Sequence, residues 1–218
     1  MRAAKTAQVW QWPAPRRETP PDQTAQRRRP QVQPVIGLAF LFLTGYLGGI
    51  LVCRSGVPEF GILLADYYMD KQNFTAFGSV FASMAAALFL QASAVTLCGT
   101  SAVGAAPLAL LFAGKGLLTG AAAASVYAAG GARGLVVYWL LTCLPDIAVL
   151  LLLLWLSQAA YGLSRALFQI MLGGGTVRGA LKVKAKMLLY RYLLTLVVGV
   201  GCGGLGAGAA VLFAGVLL

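Results

Sequence analysis

The chain has 218 residues, of which 59% are hydrophobic and 11% are charged, and its mean hydropathy is +0.79. Soluble domains are about half apolar and about a quarter charged, so this composition excludes an ordinary soluble enzyme and indicates a membrane protein. The formal net charge is +11. Because the basic residues lie in two blocks beside apolar segments, without interleaved aromatic residues, the charge favours membrane topology over nucleic-acid binding.

Two regions follow each other along the chain. Residues 1–33 are rich in arginine and proline and poor in aliphatic residues, which predicts a disordered basic tail. Residues 34–218 contain five apolar segments, each of about 20 residues or more and so long enough to cross a bilayer. We therefore predict an all-α integral membrane protein, a bundle of about five transmembrane helices, with spans at 34–53, 75–98, 103–129, 135–160 and 192–218.

The segment between the first two spans has the pattern of a short amphipathic helix. Phe60, Leu63, Leu64, Tyr67 and Tyr68 recur at helical spacing, and acidic residues gather on the other side. This pattern predicts either an interfacial helix or a surface that contacts a partner. The candidate contact residues are Glu59, Phe60, Asp66, Tyr67, Tyr68 and Asp70.

The distribution of lysine and arginine predicts the orientation of the chain. With the N terminus in the cytoplasm, the inner segments carry most of the basic residues, and the outer segments carry only Arg54, Lys71 and Arg133. The C terminus is then extracytoplasmic.

Several kinds of chemistry are excluded by the residues present. The chain has no histidine, which removes imidazole acid–base catalysis and most metal centres. Its four cysteines are far apart and lack the spacing of a zinc site or a disulfide framework, which indicates small buried residues. We predict no catalytic residues, no metal site and no cofactor, and we expect a non-enzymatic protein.

Two charged residues lie inside predicted spans. Lys115 is about midway along the third span, and Asp146 is at a similar depth in the fourth. A charge at this depth costs at least a few kcal/mol unless it is paired or hydrated. The two residues could form a structural ion pair that fixes helix packing, or they could line a polar path. Few other polar residues are available to line a path, which favours the structural interpretation.

Glycine and proline mark places where helices bend or approach closely. Pro145 lacks a backbone donor and predicts a kink in the fourth span. Glycines also recur at four-residue spacing, which lets helix backbones approach closely. We expect these pairs to pack within the chain: Gly45 with Gly49, Gly116 with Gly120, Gly199 with Gly203, and Gly204 with Gly208.

The stretch GAAPLALLFAGKGLLTG, followed by a turn and a span that contains Leu-Pro, resembles the stage II sporulation protein M family. The matching positions are Gly104, Pro107, Lys115, Gly116, Gly120, Leu144 and Pro145. The basic N terminus, the five spans and the basic loop before the last span fit the same family. Asp146 and Ile147 stand where the family usually has polar amides, and the first outer segment is shorter.

The resemblance implies a multi-pass scaffold in a bacterial cell membrane. In sporulation such a protein anchors stage II sporulation proteins D and P, which remodel peptidoglycan while the mother cell engulfs the forespore. The rival hypothesis is a transporter or permease subunit with a polar path at Lys115 and Asp146. An intramembrane enzyme is disfavoured because no His, Glu or Ser constellation lies at a common depth.

Overall fold

The computed structural model describes residues 33–54, 59–172 and 178–217, and this part of the chain is almost entirely helical. The helices are α1 (Gln33–Arg54), α2 (Glu59–Met69), α3 (Phe77–Thr100), α4 (Ala105–Tyr138), α5 (Leu144–Met171) and α6 (Arg178–Leu217). A 3-10 turn (Lys71–Phe74) follows α2, and a π-helical segment (Trp139–Cys143) joins α4 to α5.

Five of these helices are long and apolar enough to cross a membrane, and α2 is too short. The chain is therefore an all-α multi-pass membrane protein, as its composition predicts. The basic tail predicted over residues 1–33 lies outside the described residues, except for Gln33 at the start of α1.

Helix α4 contains a sharp break at Gly131, which has φ +60° and ψ −151°. A positive φ is strained for residues with a Cβ atom, so glycine suits this position. Beyond the break the chain folds back, since a Cβ atom added at Gly134 would lie 3.0 Å from the carbonyl oxygen of Val126. Gly131 therefore lies between the predicted third and fourth spans, and residues 132–138 lead into the fourth.

Helices α5 and α6 extend well into the basic stretch between the predicted fourth and fifth spans. Helix α5 continues to Met171 and α6 begins at Arg178, whereas the predicted spans end at 160 and begin at 192. The helices continue past the predicted apolar spans because lysine and arginine are good helix formers. Apolar residues among them also pack on the core at helical spacing: Leu163, Ala166, Leu167, Leu181 and Leu188.

Helices α1 and α4 run parallel and pack through two glycine pairs. Gly45 and Gly49 on α1 face Gly116 and Gly120 on α4. A Cβ atom added at any of the four would collide with a backbone carbonyl of the opposite helix, those of Ala113, Leu117, Phe42 and Tyr46. Cys53 continues this contact, and its Sγ lies 3.6 Å from both the Ala121 carbonyl oxygen and the Ser125 hydroxyl. The glycines thus act within the chain.

The bundle has two distinguishable ends. At the basic end, Ser164 Oγ donates to the Ala102 carbonyl oxygen at 3.5 Å, which joins α5 to the α3–α4 turn. Exposed basic residues lie on α5 and α6 at this end: Arg165, Lys182, Lys184 and Lys186. At the opposite end, here called the α2 end, Met69 of α2 contacts the Gly130 region beside the Gly131 break.

The best-packed core lies where α3, α5 and α6 meet. Ala92, Leu156 and Ala160 are fully buried there, and Leu188 is 3% exposed. Gly99 lets α3 approach α5, since an added Cβ atom would lie 2.7 Å from Ala160. On the other side of α3, facing α4, the packing is open and leaves a cavity.

Candidate functional site

Helix α2 is fixed to the bundle by one of its faces. Ala65 is 4% exposed, and Leu64 and Tyr68 are half-buried beside it. The Tyr68 ring meets the Tyr138 ring edge to face, with centroids 4.9 Å apart. The turn after the helix is held as well, because Gln72 N donates to Asp70 Oδ1 at 2.9 Å and Asn73 Nδ2 donates to the Tyr67 carbonyl oxygen at 3.0 Å.

The other face of α2 differs from the sequence prediction. Glu59, Asp66, Tyr67 and Asp70 are exposed, as a contact surface requires. Tyr68 differs from the other candidates, because it is half-buried and packs against Tyr138. Apolar side chains stand beside the acids: Ile62 is 53% exposed, and Leu63, which the pattern placed on the side opposite the acids, is 68% exposed. The side chain of Phe60 lies outside the described part of the chain.

A cavity of about 930 Å³ separates α3 from α4. Its walls are mostly apolar and run along α3 from Ala87 to Cys98 and along α4 from Pro107 to Ala122. Leu97 and Leu110 line it and are 70% and 74% exposed, so one long side of the cavity is open toward the surrounding bilayer. Tyr68 of α2, Tyr138 at the end of α4 beyond the Gly131 break, and Asp146 of α5 line it as well.

Lys115 and Asp146 both line this cavity, but they do not touch. Lys115 Nζ donates to Gln91 Oε1 at 2.9 Å. Within the described residues, no ion pair of 4.0 Å or less joins Lys115 to Asp146. The direct pair considered from the sequence is thus replaced by a wider arrangement, in which Gln91 holds the ammonium group and the carboxylate is open to the cavity.

A second cavity of about 270 Å³ extends from Gln91, Lys115 and Asp146, here called the polar cluster, toward the α2 end. It is lined by Phe74 and Ser83 at that end and by Thr142 and Pro145 on the α5 side. The residues that line both cavities are Tyr68, Ala87, Gln91, Lys115 and Asp146. The polar cluster therefore lies where the two cavities meet.

Tyr68 adds a neutral hydroxyl group to the cluster. Burial raises its pKa to about 12, and the negative charges of Asp146 and of an ionised Tyr67 act in the same direction. At neutral pH its hydroxyl is protonated and can donate a hydrogen bond. The sequence pattern assigned Tyr68 to partner contact, and only the docking of α2 shows its role in the cavity.

Only Leu144 separates Pro145 from the π-helical segment Trp139–Cys143. A proline has no N–H and crowds the carbonyl four residues before it, so the wider π-helical turn accommodates it. Thr142 Oγ1 donates to the Tyr138 carbonyl oxygen at 2.7 Å within this segment. Pro107 lies in the first turn of α4, where a proline is tolerated without a kink, and it lines the larger cavity.

Arg191 is a further polar residue, and it lies directly before the predicted fifth span. It lies on α6 within a candidate span and donates to the Trp155 carbonyl oxygen at 2.9 Å and to Gln158 Oε1 at 3.1 Å. Its guanidinium group is also 4.6 Å from the centre of the Trp155 ring. These contacts tie α6 to α5 and satisfy the charge.

The described residues contain no group of three or more His, Cys, Asp or Glu side chains that could hold a metal ion. Comparison with protein-family models, with curated proteins and with solved structures finds no match to this chain. The exposed face of α2 and the polar cluster between the two cavities are therefore the candidate functional features.

Proposed function

We propose that the protein is a non-enzymatic scaffold in a bacterial cell membrane, with a cytoplasmic N terminus and an extracytoplasmic C terminus, that holds peptidoglycan-remodelling partners through α2. The observation that carries this proposal is the combination of a fixed inner face and an exposed outer face on one short helix. Ala65 is buried while Leu63 and Tyr67 are 68% and 43% exposed.

A fixed helix suits binding because little conformational entropy is lost when the partner docks. The outer face offers the aromatic and apolar side chains that form the centre of many interfaces, Ile62, Leu63 and Tyr67. Glu59, Asp66 and Asp70 surround them and favour a partner surface with basic residues.

The resemblance to the stage II sporulation protein M family supports the same proposal. Gly116 and Gly120 form the close contact with α1, and a Cβ atom at Gly104 would collide with the Cys98 carbonyl group. The motif positions thus have packing roles that suit a scaffold. On this proposal the partners are homologues of stage II sporulation proteins D and P, and the process is forespore engulfment or a related remodelling of the cell wall.

The test is an affinity purification from detergent-solubilised native membranes, with a tag on the N terminus and identification of copurifying proteins by mass spectrometry. The test variant carries Ile62→Ser, Leu63→Ser and Tyr67→Ser on the outer face of α2. The control carries Met171→Ser and Leu172→Ser, which are also highly exposed apolar positions but at the basic end. We expect peptidoglycan hydrolases or amidases with the wild type and the control, and their loss with the α2 variant.

If the α2 variant still retained these enzymes, the contact with them would lie outside the outer face of α2. Recovery of no cell-wall enzyme by the wild type would contradict the scaffold proposal itself.

A second candidate is a transporter or permease subunit, and the specific observation in its favour is the pair of cavities that meet at Lys115 and Asp146. Together the two cavities extend over much of the length of the bundle. A Lys115→Ala variant that assembles normally but loses a solute flux would favour this candidate. Copurification of an ATPase or a solute-binding protein would do the same.

A further inference from the structure

The larger cavity has the dimensions and the opening of a groove for a membrane lipid. Its wall on α4 runs from Pro107 to Ala122, which at 1.5 Å per residue is about 22 Å. Leu97 on α3 and Leu110 and Leu118 on α4 line it and are highly exposed. Hydrocarbon chains can therefore enter it sideways from the bilayer without crossing a polar surface.

The groove also contains two opposite charges that are held apart. Lys115 is half-buried and donates one hydrogen bond to Gln91, whereas Asp146 is exposed to the cavity. Among the described residues, Asp146 accepts no hydrogen bond of 3.5 Å or less. Each charge at this depth requires compensation, because a charged side chain in hydrocarbon costs a few kcal/mol or more.

We propose that this groove binds a zwitterionic phospholipid of the phosphatidylethanolamine class. The lipid phosphate accepts from Lys115, the lipid ammonium group donates to Asp146, and the acyl chains follow the apolar wall and leave through the open side. The proposal concerns the α3–α4 side of the bundle and is independent of the contact surface on α2.

Charge complementarity selects this class of lipid over an anionic one. A zwitterionic headgroup carries a phosphate and an ammonium group a few bonds apart, which matches a lysine and an aspartate that are separated but share one cavity. An anionic headgroup matches Lys115 only and brings a second negative charge toward Asp146. Tyr68 lies at the same end of the groove, and its neutral hydroxyl can donate to the phosphate.

The experiment compares phosphatidylethanolamine and phosphatidylglycerol with identical acyl chains, mixed in equal amounts in the nanodiscs that hold the full chain. The protein is released into mild detergent, and the retained lipids are counted by native mass spectrometry. We expect about tenfold more retained phosphatidylethanolamine than phosphatidylglycerol.

A matched pair of glycine variants locates the lipid. Gly114 lines the groove, and a Cβ atom added there meets no atom within 4 Å, so Gly114→Leu fills the groove without a backbone collision. Gly48 on α1 is equally open but does not line the groove, so Gly48→Leu is the control. We expect retention to fall to background in Gly114→Leu and to stay at the wild-type level in Gly48→Leu.

Two charge variants test the headgroup and do not depend on the glycine pair. Asp146→Asn should remove the preference between the two lipids, and Lys115→Gln should lower retention of both. Equal retention of the two lipids by the wild type, a preference for phosphatidylglycerol, or no retained lipid would each overturn the proposal. Retention that survives Gly114→Leu in a folded protein would place the lipid outside this groove and would overturn it too.

Discussion

At the residue scale, the polar cluster combines side chains that differ in how well the sequence predicts them. Lys115 and Asp146 stand out because a charge in an apolar span is costly. The role of Gln91 as the acceptor for Lys115 could not be derived, since it depends on how α3 and α4 pack. Tyr68 was a candidate for partner contact, because its spacing places it on the apolar side of α2 but does not show that this side packs on the bundle.

The bond between Lys115 and Gln91 leads to a prediction about stability. Gln91→Leu removes the acceptor for a half-buried ammonium group, and loss of a partner for a buried polar group costs about 1–3 kcal/mol. We expect a lower thermal unfolding midpoint in detergent. In the double variant with Lys115→Met, the loss should be smaller than the sum of the two single losses, because the ammonium group is also gone. Strictly additive losses would show that the two side chains are not coupled.

Tyr68 leads to a prediction about alkaline pH. Its pKa is about 12 in the folded protein and has an ordinary value of 10.0. Between these values the folded state keeps a proton that the unfolded chain loses, so the contribution of Tyr68 to stability is complete below pH 10 and falls as the pH rises toward 12. The difference in absorbance at 295 nm between the wild type and Tyr68→Phe should titrate near pH 12. A midpoint near 10 would mean that Tyr68 is accessible to water.

At the element scale, the parallel contact of α1 and α4 depends on glycine. The sequence identified both glycine pairs and their action within the chain, but not that they face each other. That pairing depends on which helices are neighbours in the bundle, and the spacing of residues along one helix does not determine its neighbours. The helices α5 and α6 extend beyond the predicted spans for a related reason, since hydropathy measures where a helix is apolar and not where its hydrogen bonding ends.

Gly120→Val tests the α1–α4 contact. A side chain at Gly120 collides with the backbone of Tyr46, and overpacking costs about 1–3 kcal/mol or more. Gly48→Val is the control, because an added Cβ atom at Gly48 meets nothing within 4 Å. We expect a clear drop in the thermal unfolding midpoint for Gly120→Val and little change for Gly48→Val. Equal effects would mean that the cost comes from valine in the helix and not from the contact.

At the scale of the whole molecule, composition and hydropathy predict an all-α bundle with five spanning helices, and the structure confirms this class. The class is predictable because lipid requires long apolar helices whose backbone groups are satisfied internally. The cavities were not predictable, because they are the spaces that remain after all the helices have packed. The orientation of the bundle stays a prediction from the distribution of charge.

Labelling with a membrane-impermeant maleimide tests that orientation. Starting from a variant in which Cys53, Cys98, Cys143 and Cys202 are replaced by alanine, a single cysteine is placed at Ala132 beside the Gly131 break or at Lys186 at the basic end. Both positions are exposed. We expect Ala132→Cys to react in intact cells and Lys186→Cys to react only after permeabilisation. The reverse pattern would put α2 in the cytoplasm and would remove it as a contact for cell-wall enzymes.

The π-helical segment Trp139–Cys143 has a consequence for how the sequence tolerates change. Such a segment is equivalent to one extra residue inserted into an α-helix, and each residue turns a helix by about 100°. Deleting one residue here, for example Leu140, would restore regular α-helical winding, and Asp146 would keep its direction relative to Tyr138 because the wide turn had absorbed that residue. A deletion in the regular part of a neighbouring helix has no such compensation and would turn the residues beyond it by about 100°. The π-helical segment is therefore a place where the chain can lose one residue and still present the carboxylate to the cavity, and the cost falls on Pro145, which loses the wider turn that accommodates it.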